Sequence, residues 1–139
     1  MPIKKSKKSK KSKKIRYNQI RFINKSKTQK KCMDVEGGYI GENGRIILYS
    51  CHNGPNQKLH YNRKTKRLQI KSSKKCIDLD NHGRLVQNKC SSSKKTQKWI
   101  KRKNKWISVA NNKCIGLTKF RHTEKDSKTL GDLVTTPCI

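Results

Sequence analysis

Apolar residues along this chain fall in short runs that are separated by polar and basic turns. Clear examples are RIILY (45–49), RLQI (67–70) and WISVA (106–110). Short runs rich in Ile, Leu and Val are typical of strands, because a helix needs about ten or more residues of amphipathic pattern. The pattern therefore predicts an all-β fold, and 139 residues suffice for one domain.

A unit of about 40 residues repeats three times along the chain. Each unit opens with Lys-Cys and an apolar strand, and the opening cysteines lie 44 and 38 residues apart: Cys32, Cys76 and Cys114. A second cysteine closes a later strand of each unit: Cys51, Cys90 and Cys138. One unit has about four short strands and cannot cover its own apolar face. We therefore expect three units to pack around a common axis.

The first two units share a further motif, in which Gln is followed after one residue by an apolar side chain. The motif is NQKLHY in residues 56–61 and TQKWIK in residues 96–101. A basic turn then leads into another strand, RLQI or KWISV. The third unit reaches Cys138-Ile139 where this motif should begin, so its last strand is missing from the pattern.

The combination of Cys-x-Asp, strand-Cys and Gln-x-Trp resembles the ricin B-chain type lectins, which are β-trefoils. The resemblance runs from about residue 20 to residue 139, and three coordinated cysteine pairs make it far more specific than Gln97-x-Trp99 alone. It implies a trefoil domain over 14–139 that follows a basic arm over 1–13. The repeats then span about 20–66, 67–104 and 105–139.

The resemblance also implies what holds the trefoil together. Leu59 and Trp99 would fill the core, while Gln57 and Gln97 would bond the backbone of their own repeats. Three disulfides would each join neighbouring strands within one repeat: Cys32–Cys51, Cys76–Cys90 and Cys114–Cys138. Each disulfide would contribute roughly 3 kcal/mol if oxidised.

The missing last strand has a candidate at the other end of the chain. The segment 14–32, KIRYNQIRFINKSKTQKKC, resembles 58–76, KLHYNRKTKRLQIKSSKKC, with a shorter turn. We therefore expect residues 14–17 to pair with the strand that ends at Cys138, with Ile15 buried beside Leu59 and Trp99. The alternative is an open barrel that another chain completes.

Family sugar sites use an Asp after the first cysteine, an aromatic residue before the second, and a polar pair ahead of the Trp position. A carboxylate accepts two sugar hydroxyls, and an aromatic ring stacks on the apolar face of a pyranose. The first repeat carries this set, with one departure at Ile47, where family members often have Gln. The predicted carbohydrate-binding residues are Asp34, Tyr49, Asn56 and Gln57.

The other two repeats have lost parts of the set. The second keeps Asp78 and Gln97 as a degenerate site but has Asn88 in place of the ring. The third has Gly116 and Thr136 at the Asp and aromatic positions. The alternative interpretation is that Asp34 and Asp78 only brace strand turns and that Tyr49 is an ordinary surface residue.

Charge adds a second candidate chemistry. The chain has a net charge of +29, of which the first sixteen residues supply nine; residues 17–139 hold 28 Lys or Arg against 8 Asp or Glu, a net +20. Such a field attracts polyanions such as nucleic acid or sulfated glycans, although it also serves solubility. The predicted polyanion-binding residues are the lysines of the arm: Lys4, Lys5, Lys7, Lys8, Lys10, Lys11, Lys13 and Lys14.

No motif indicates catalysis, a metal or a cofactor. The four histidines are scattered and no Cys-x-x-Cys occurs, so we expect a non-enzymatic protein without metal or cofactor. Neither a signal peptide nor a transmembrane segment is apparent, which favours a virion particle, the nucleus or the cytoplasm over classical secretion. Six cysteines point instead to an oxidising setting, and the sequence leaves this conflict open.

Two functions from different classes follow. The first is a lectin-like module that binds a glycan or glycoprotein through repeat one while the arm binds a polyanion. The second is a structural protein of a capsid or nucleoprotein particle, in which the trefoil is a scaffold and the basic arm contacts genome or neighbouring proteins. A binding module derived from a toxin is a third hypothesis.

Overall fold

The computed structural model describes residues 15–23, 30–117 and 129–138. Regular structure in these ranges consists of strands and three short 3₁₀ helices, so the all-β prediction is confirmed. The 3₁₀ helices are Glu36–Gly38, Pro55–Gln57 and Lys95–Gln97. The strands are β1 (Arg21–Ile23), β2 (Lys30–Val35), β3 (Gly44–Ser50), β4 (Leu59–Asn62), β5 (Arg67–Ile70), β6 (Cys76–Leu79), β7 (Leu85–Asn88), β8 (Trp99–Arg102), β9 (Lys105–Ser108), β10 (Cys114–Leu117) and β11 (Thr129–Thr136).

All strand pairs are antiparallel, and three of them form the two-stranded ribbons that begin at the opening cysteines. These ribbons are β2–β3, β6–β7 and β10–β11. The hairpins β4–β5 and β8–β9 connect one ribbon to the next. No helix in the described part of the chain is long and apolar enough to span a membrane.

The register of the strands fixes which residues are equivalent in the three repeats. The strand before each opening cysteine pairs with it through one residue: Arg21 with Cys32, Gln69 with Cys76, and Ile107 with Cys114. Arg21, Gln69 and Ile107 therefore hold the same position. It follows that Ile20, Leu68 and Trp106 are equivalent, as are Phe22, Ile70 and Ser108.

Among the described residues, one apolar core lies between the repeats. Its two predicted central residues, Leu59 and Trp99, are both buried, and the Trp99 indole N–H donates to the carbonyl of Ile77 at 3.1 Å. Burying such a side chain contributes about 1.5–3 kcal/mol. The core side chains are Met33, Val35, Ile46, Leu48, Leu59, Leu68, Ile70, Ile77, Leu85, Trp99, Trp106 and Leu133.

Each repeat is closed by a disulfide, and the bonded pairs are those that the resemblance implied: Cys32–Cys51, Cys76–Cys90 and Cys114–Cys138. Gln57 and Gln97 are both buried and brace the first two repeats in the same way. The Gln57 amide donates to the carbonyl of Ser50, and the Gln97 amide donates to the carbonyl of Lys89, both at 2.9 Å.

The prediction that the N-terminal segment replaces the last strand is wrong for the residues that the structure describes. Ile15 is 56% exposed, and the segment lies along β4, where the N–H and carbonyl of Asn18 pair with those of Leu59 at 2.8 and 2.9 Å. The carbonyl of Lys66, the last turn residue before β5, accepts from Trp99 in the same way at 2.8 Å. Asn18 is thus the equivalent of Lys66, and residues 15–17 belong to no strand. Lys14 and the other arm lysines lie outside the described residues.

Candidate functional site

The carboxylate of Asp34 is the centre of the predicted site. Asp34 lies near the end of β2, directly opposite Ile47 of β3. One carboxylate oxygen accepts from the amide of Asn56 at 3.1 Å, and the other accepts from the amide of Gln57 at 2.7 Å. The 3₁₀ helix Pro55–Gln57 places both amides beneath the ribbon. A pair of amides thus holds the carboxylate in one orientation.

An open cleft of about 480 Å³ begins at this carboxylate. Tyr49 and His52 form one side, with ring centres 6.1 Å apart and ring planes at 73°. The His52 Nε2 lies 3.4 Å from a carboxylate oxygen of Asp34. The cleft combines a carboxylate, an aromatic ring and polar hydrogens, and is lined by Asp34, Glu36, Gly37, Gly38, Ile47, Tyr49, His52 and Asn56.

The loop after β2 forms the opposite wall. Gly37 and Gly38 both have positive φ, 66° and 68°, which L side chains rarely adopt. A buried amide from the second repeat fixes the loop: Gln87 Nε2 donates to the carbonyls of Tyr39 and Gly41, both at 2.8 Å. The cleft of repeat one therefore depends on a side chain of repeat two.

Burial raises the pKa of the Asp34 carboxyl, because desolvation disfavours its ionised form. Hydrogen bonds from Gln57, His52 and Asn56 and the electrostatic interaction with His52 act in the opposite direction and only partly offset the effect.

The second repeat encloses its equivalent carboxylate. Asp78 lies opposite Val86, as Asp34 lies opposite Ile47, but its oxygens are occupied. One accepts from the N–H of Leu79 at 2.8 Å; the other accepts from the Asn88 amide at 3.0 Å and the Gln97 amide at 3.2 Å.

The ring position of the second repeat thus holds an amide that binds the carboxylate, and the Lys94 ammonium is 3.4 Å from it. Burial opposes ionisation of Asp78. The hydrogen bonds from Thr96, Asn88, Gln97 and the backbone outweigh that effect and hold its pKa below the usual value.

The third repeat has Gly116 in the same position, opposite Val134, with Thr136 at the position of Tyr49. A Cβ added at Gly116 would lie 2.9 Å from the hydroxyl of Thr136, so a larger residue there would displace the threonine side chain. No carboxylate occupies this position in the third repeat.

The structure brings three of the four predicted residues to the cleft: Asp34, Tyr49 and Asn56. Gln57 is fully buried behind Asp34 and orients it. Sequence reasoning missed His52, which it counted only among four scattered histidines. The available signal was its place directly after Cys51, where the second repeat has Ser91. Within the described ranges, no group of three or more His, Cys, Asp or Glu side chains could hold a metal ion.

Three-fold repeated ribbons around one core, with a polar cleft on one repeat, define a β-trefoil binding domain. The family model for the ricin-type β-trefoil lectin domain matches residues 18–138, and the chain belongs to this family. No curated protein sequence matched the chain.

Solved structures share this fold at low sequence identity. The C-half of the earthworm R-type lectin, in complex with GalNAc, is similar at 15% identity with a TM-score of 0.68, covering 91% of each chain. The β-trefoil lectin of the Vibrio vulnificus hemolysin/cytolysin, with N-acetyl-D-lactosamine bound, is 22% identical with a TM-score of 0.64. That match covers 87% of this chain and 85% of the other. The designed three-fold symmetric protein ThreeFoil is 17% identical with a TM-score of 0.64, covering 78% and 83%.

Proposed function

We propose that this chain is a carbohydrate-binding module with one sugar site, in the cleft of repeat one. The observation that carries the proposal is the contrast between the carboxylates: Asp34 opens on a cleft beside an aromatic ring, whereas Asp78 is enclosed by its own repeat. Membership of a lectin family supports the same function. On this proposal the chain acts by binding and not by catalysis.

Each residue at the cleft has a defined role in this proposal. Asp34 accepts hydrogen bonds from two neighbouring sugar hydroxyls, and Tyr49 stacks against the apolar face of the ring. His52 donates to a remaining sugar oxygen. The Asn56 amide already donates to Asp34 and to the carbonyl of Val35, so its oxygen accepts from a sugar hydroxyl. Gln57 does not touch the sugar, and it keeps the carboxylate aimed outward.

The test is binding of the full chain to a glycan array that includes GalNAc and N-acetyllactosamine, the sugars bound to the earthworm and Vibrio proteins. Hydrogen bonds to charged groups contribute about 1.5–3 kcal/mol each, so Asp34→Ala should weaken binding about 100-fold. Tyr49→Ala should weaken it about tenfold, and Tyr49→Phe should retain it. The matched control, Asp78→Ala, should leave the affinity unchanged. Absence of any glycan bound at millimolar protein would contradict the proposal.

A second function, polyanion binding by the basic arm, rests on the distribution of charge. The arm concentrates eight lysines without an acidic residue, and the remainder of the chain is also basic. Flexible polycations bind phosphates or sulfates without sequence readout, and each contacted phosphate releases roughly 0.9 counterions. Nucleic acid and heparin are therefore the ligands to test.

Deleting residues 1–14 should flatten the salt dependence of binding to duplex DNA or heparin, because fewer counterions are released. A salt slope that is unchanged by the deletion would place the contacts on the folded surface and contradict a role for the arm. Arm-dependent binding to nucleic acid together with no glycan ligand would instead favour the scaffold of a capsid or nucleoprotein particle.

A further inference from the structure

In the part of the chain that the structure describes, the barrel has an open seam between β1 and β9. Between the first and second repeats β4 pairs with β5 over four residues, and between the second and third β8 pairs with β9 in the same way. Within the described ranges, β1 pairs only with β2. The described residues before β1 form a single bridge, from Asn18 to Leu59. The strand that would pair with β1 as β4 pairs with β5 is therefore absent from the described part of the chain.

A cleft of about 470 Å³ lies where this strand would run. The β1 side supplies Gln19, Ile20, Arg21 and Phe22, and the β8–β9 hairpin supplies Lys101, Asn104 and Trp106. Asn104 precedes β9 as Lys66 precedes β5, and the carbonyl of Lys66 accepts the N–H of the neighbouring strand's first residue. Both sides of the seam thus present backbone groups with which an added strand can form hydrogen bonds.

The side chains in the seam are less covered than their equivalents in the closed repeat. Leu68 and Ile70 of β5 are 1% and 0% exposed, whereas Ile20 and Phe22 at the same positions are only half-buried. The difference is the side chain of the neighbouring strand, which Leu59 supplies in β4 and Trp99 supplies in β8. An apolar residue entering the seam would complete the core.

We propose that this seam accepts an extended segment of another protein as an added strand, with the pattern apolar–acidic–apolar. The register of β4 on β5 sets the three positions: the first residue lies opposite Phe22, the second opposite Arg21 and the third opposite Ile20. Residues one and three face the core because side chains alternate along a strand. Residue two faces outward, beside the exposed Arg21.

The positive charge around the seam determines which kind of segment fits it. The cleft carries Arg21 and Lys101, and the adjoining cleft beneath the barrel carries Arg16 and Arg63, while no acidic residue lines either of them. Directly opposite residues of antiparallel strands interact, and opposite charges favour the pair. A lysine-rich segment such as the chain's own arm would be repelled, so the fitting occupant is an acidic segment of a different chain. Strand addition of this kind combines backbone hydrogen bonds with pockets for alternate side chains.

The probe is a synthetic peptide, acetyl-Gln-Glu-Leu-Glu-Tyr-Asn-amide, which follows Gln57–Asn62 with glutamate at the two outward positions. Its leucine, second glutamate and tyrosine occupy positions one to three. Fluorescence anisotropy with the full chain should show saturable binding, and a scrambled peptide of equal charge should bind at least about tenfold more weakly. Equal binding of the scrambled peptide would overturn the proposal, because it would show charge attraction alone.

A charge-swap cycle tests the register. Arg21→Glu should weaken binding about tenfold, and a peptide with lysine at position two should restore it. The matched control is Arg67→Glu, which makes the same charge change on β5, where β4 already covers the edge. If Arg67→Glu weakens binding as much as Arg21→Glu, the seam is not the site.

Amide hydrogen exchange identifies the occupant. The amides of Gln19 and Arg21 should exchange freely in the chain alone and become protected when the peptide is added, whereas the Phe22 amide faces Lys31 of β2 in either case. Protection that is already present in the monomer would mean that the chain's own segment fills the seam. Protection that rises with protein concentration would mean that a second copy fills it. Either result would overturn the proposal, which does not depend on the glycan site because that site lies on the β2–β3 ribbon.

Discussion

Asp34 in repeat one and Asp78 in repeat two hold the same position after an opening cysteine, but their surroundings have opposite effects. Asp34 is held by two amides and faces a cleft, and burial raises its pKa. Asp78 accepts from amides, a backbone N–H and a nearby ammonium group, and its pKa is lowered. The same motif therefore borders a cleft in the first repeat and is enclosed by its own repeat in the second.

Two differences in the surrounding residues produce this divergence. The second repeat has Asn88 where the first has Tyr49, and the amide of Asn88 turns inward onto the carboxylate. The two cysteines of the second repeat also enclose a shorter segment than those of the first, with a sequence separation of 14 instead of 19. The second repeat therefore lacks the loop that forms one wall of the cleft in the first. These two differences separate a carboxylate that borders a cleft from one that its own repeat encloses.

The largest expected effect is on stability. Asp78→Ala removes the acceptor of several buried donors and should lower the free energy of unfolding by about 3 kcal/mol, whereas Asp34→Ala should lower it by about 1 kcal/mol. Urea denaturation of both variants beside the parent chain measures the difference. Equal losses would mean that both carboxylates are structural braces.

A smaller effect is expected from Asn88→Ala, which removes one donor to Asp78 and the acceptor of the Asn43 N–H. The free energy of unfolding should fall by about 1–2 kcal/mol, and the pKa of Asp78 should rise. NMR titration of the carboxyl carbon follows the pKa. Thr136→Ala is the matched control, because the equivalent position in the third repeat is Gly116 and carries no carboxylate. An unchanged pKa of Asp78 in Asn88→Ala would contradict the proposed role of Asn88 in holding that carboxylate.

The smallest effects should appear in pH dependence, with opposite signs. The folded-state pKa of Asp34 is raised, so its contribution to stability is present below the ordinary Asp pKa and is lost as pH rises through the folded value. The folded-state pKa of Asp78 is lowered, so its contribution is present above the ordinary pKa and is lost as pH falls through the folded value. Stability differences between the parent chain and each Asp→Ala variant across the acidic range should therefore slope in opposite directions. Parallel slopes would be inconsistent with the two environments.

The open seam shows the limit of analogy between segments of one chain. The likeness of residues 14–32 to 58–76 is real in the strand positions, since Ile20 and Phe22 hold the places of Leu68 and Ile70. It fails before Asn18, where the turn of the second repeat has four more residues and the N-terminal segment runs along β4 instead. The local similarity thus correctly predicted strand β1, but it wrongly predicted a strand over residues 14–17.

The sequence by itself determined the three-fold architecture, because the cysteine spacing and the short apolar runs recur in every repeat. It also identified Asp34, Tyr49 and Asn56, which the structure brings to one cleft. Only the tertiary structure decided that Gln57 lies behind the carboxylate, that His52 joins the cleft and that Asp78 is enclosed. The physical reason is that these outcomes depend on contacts between distant segments. The Gln87 amide that holds the loop of repeat one belongs to another repeat, and no local pattern of residues encodes that contact.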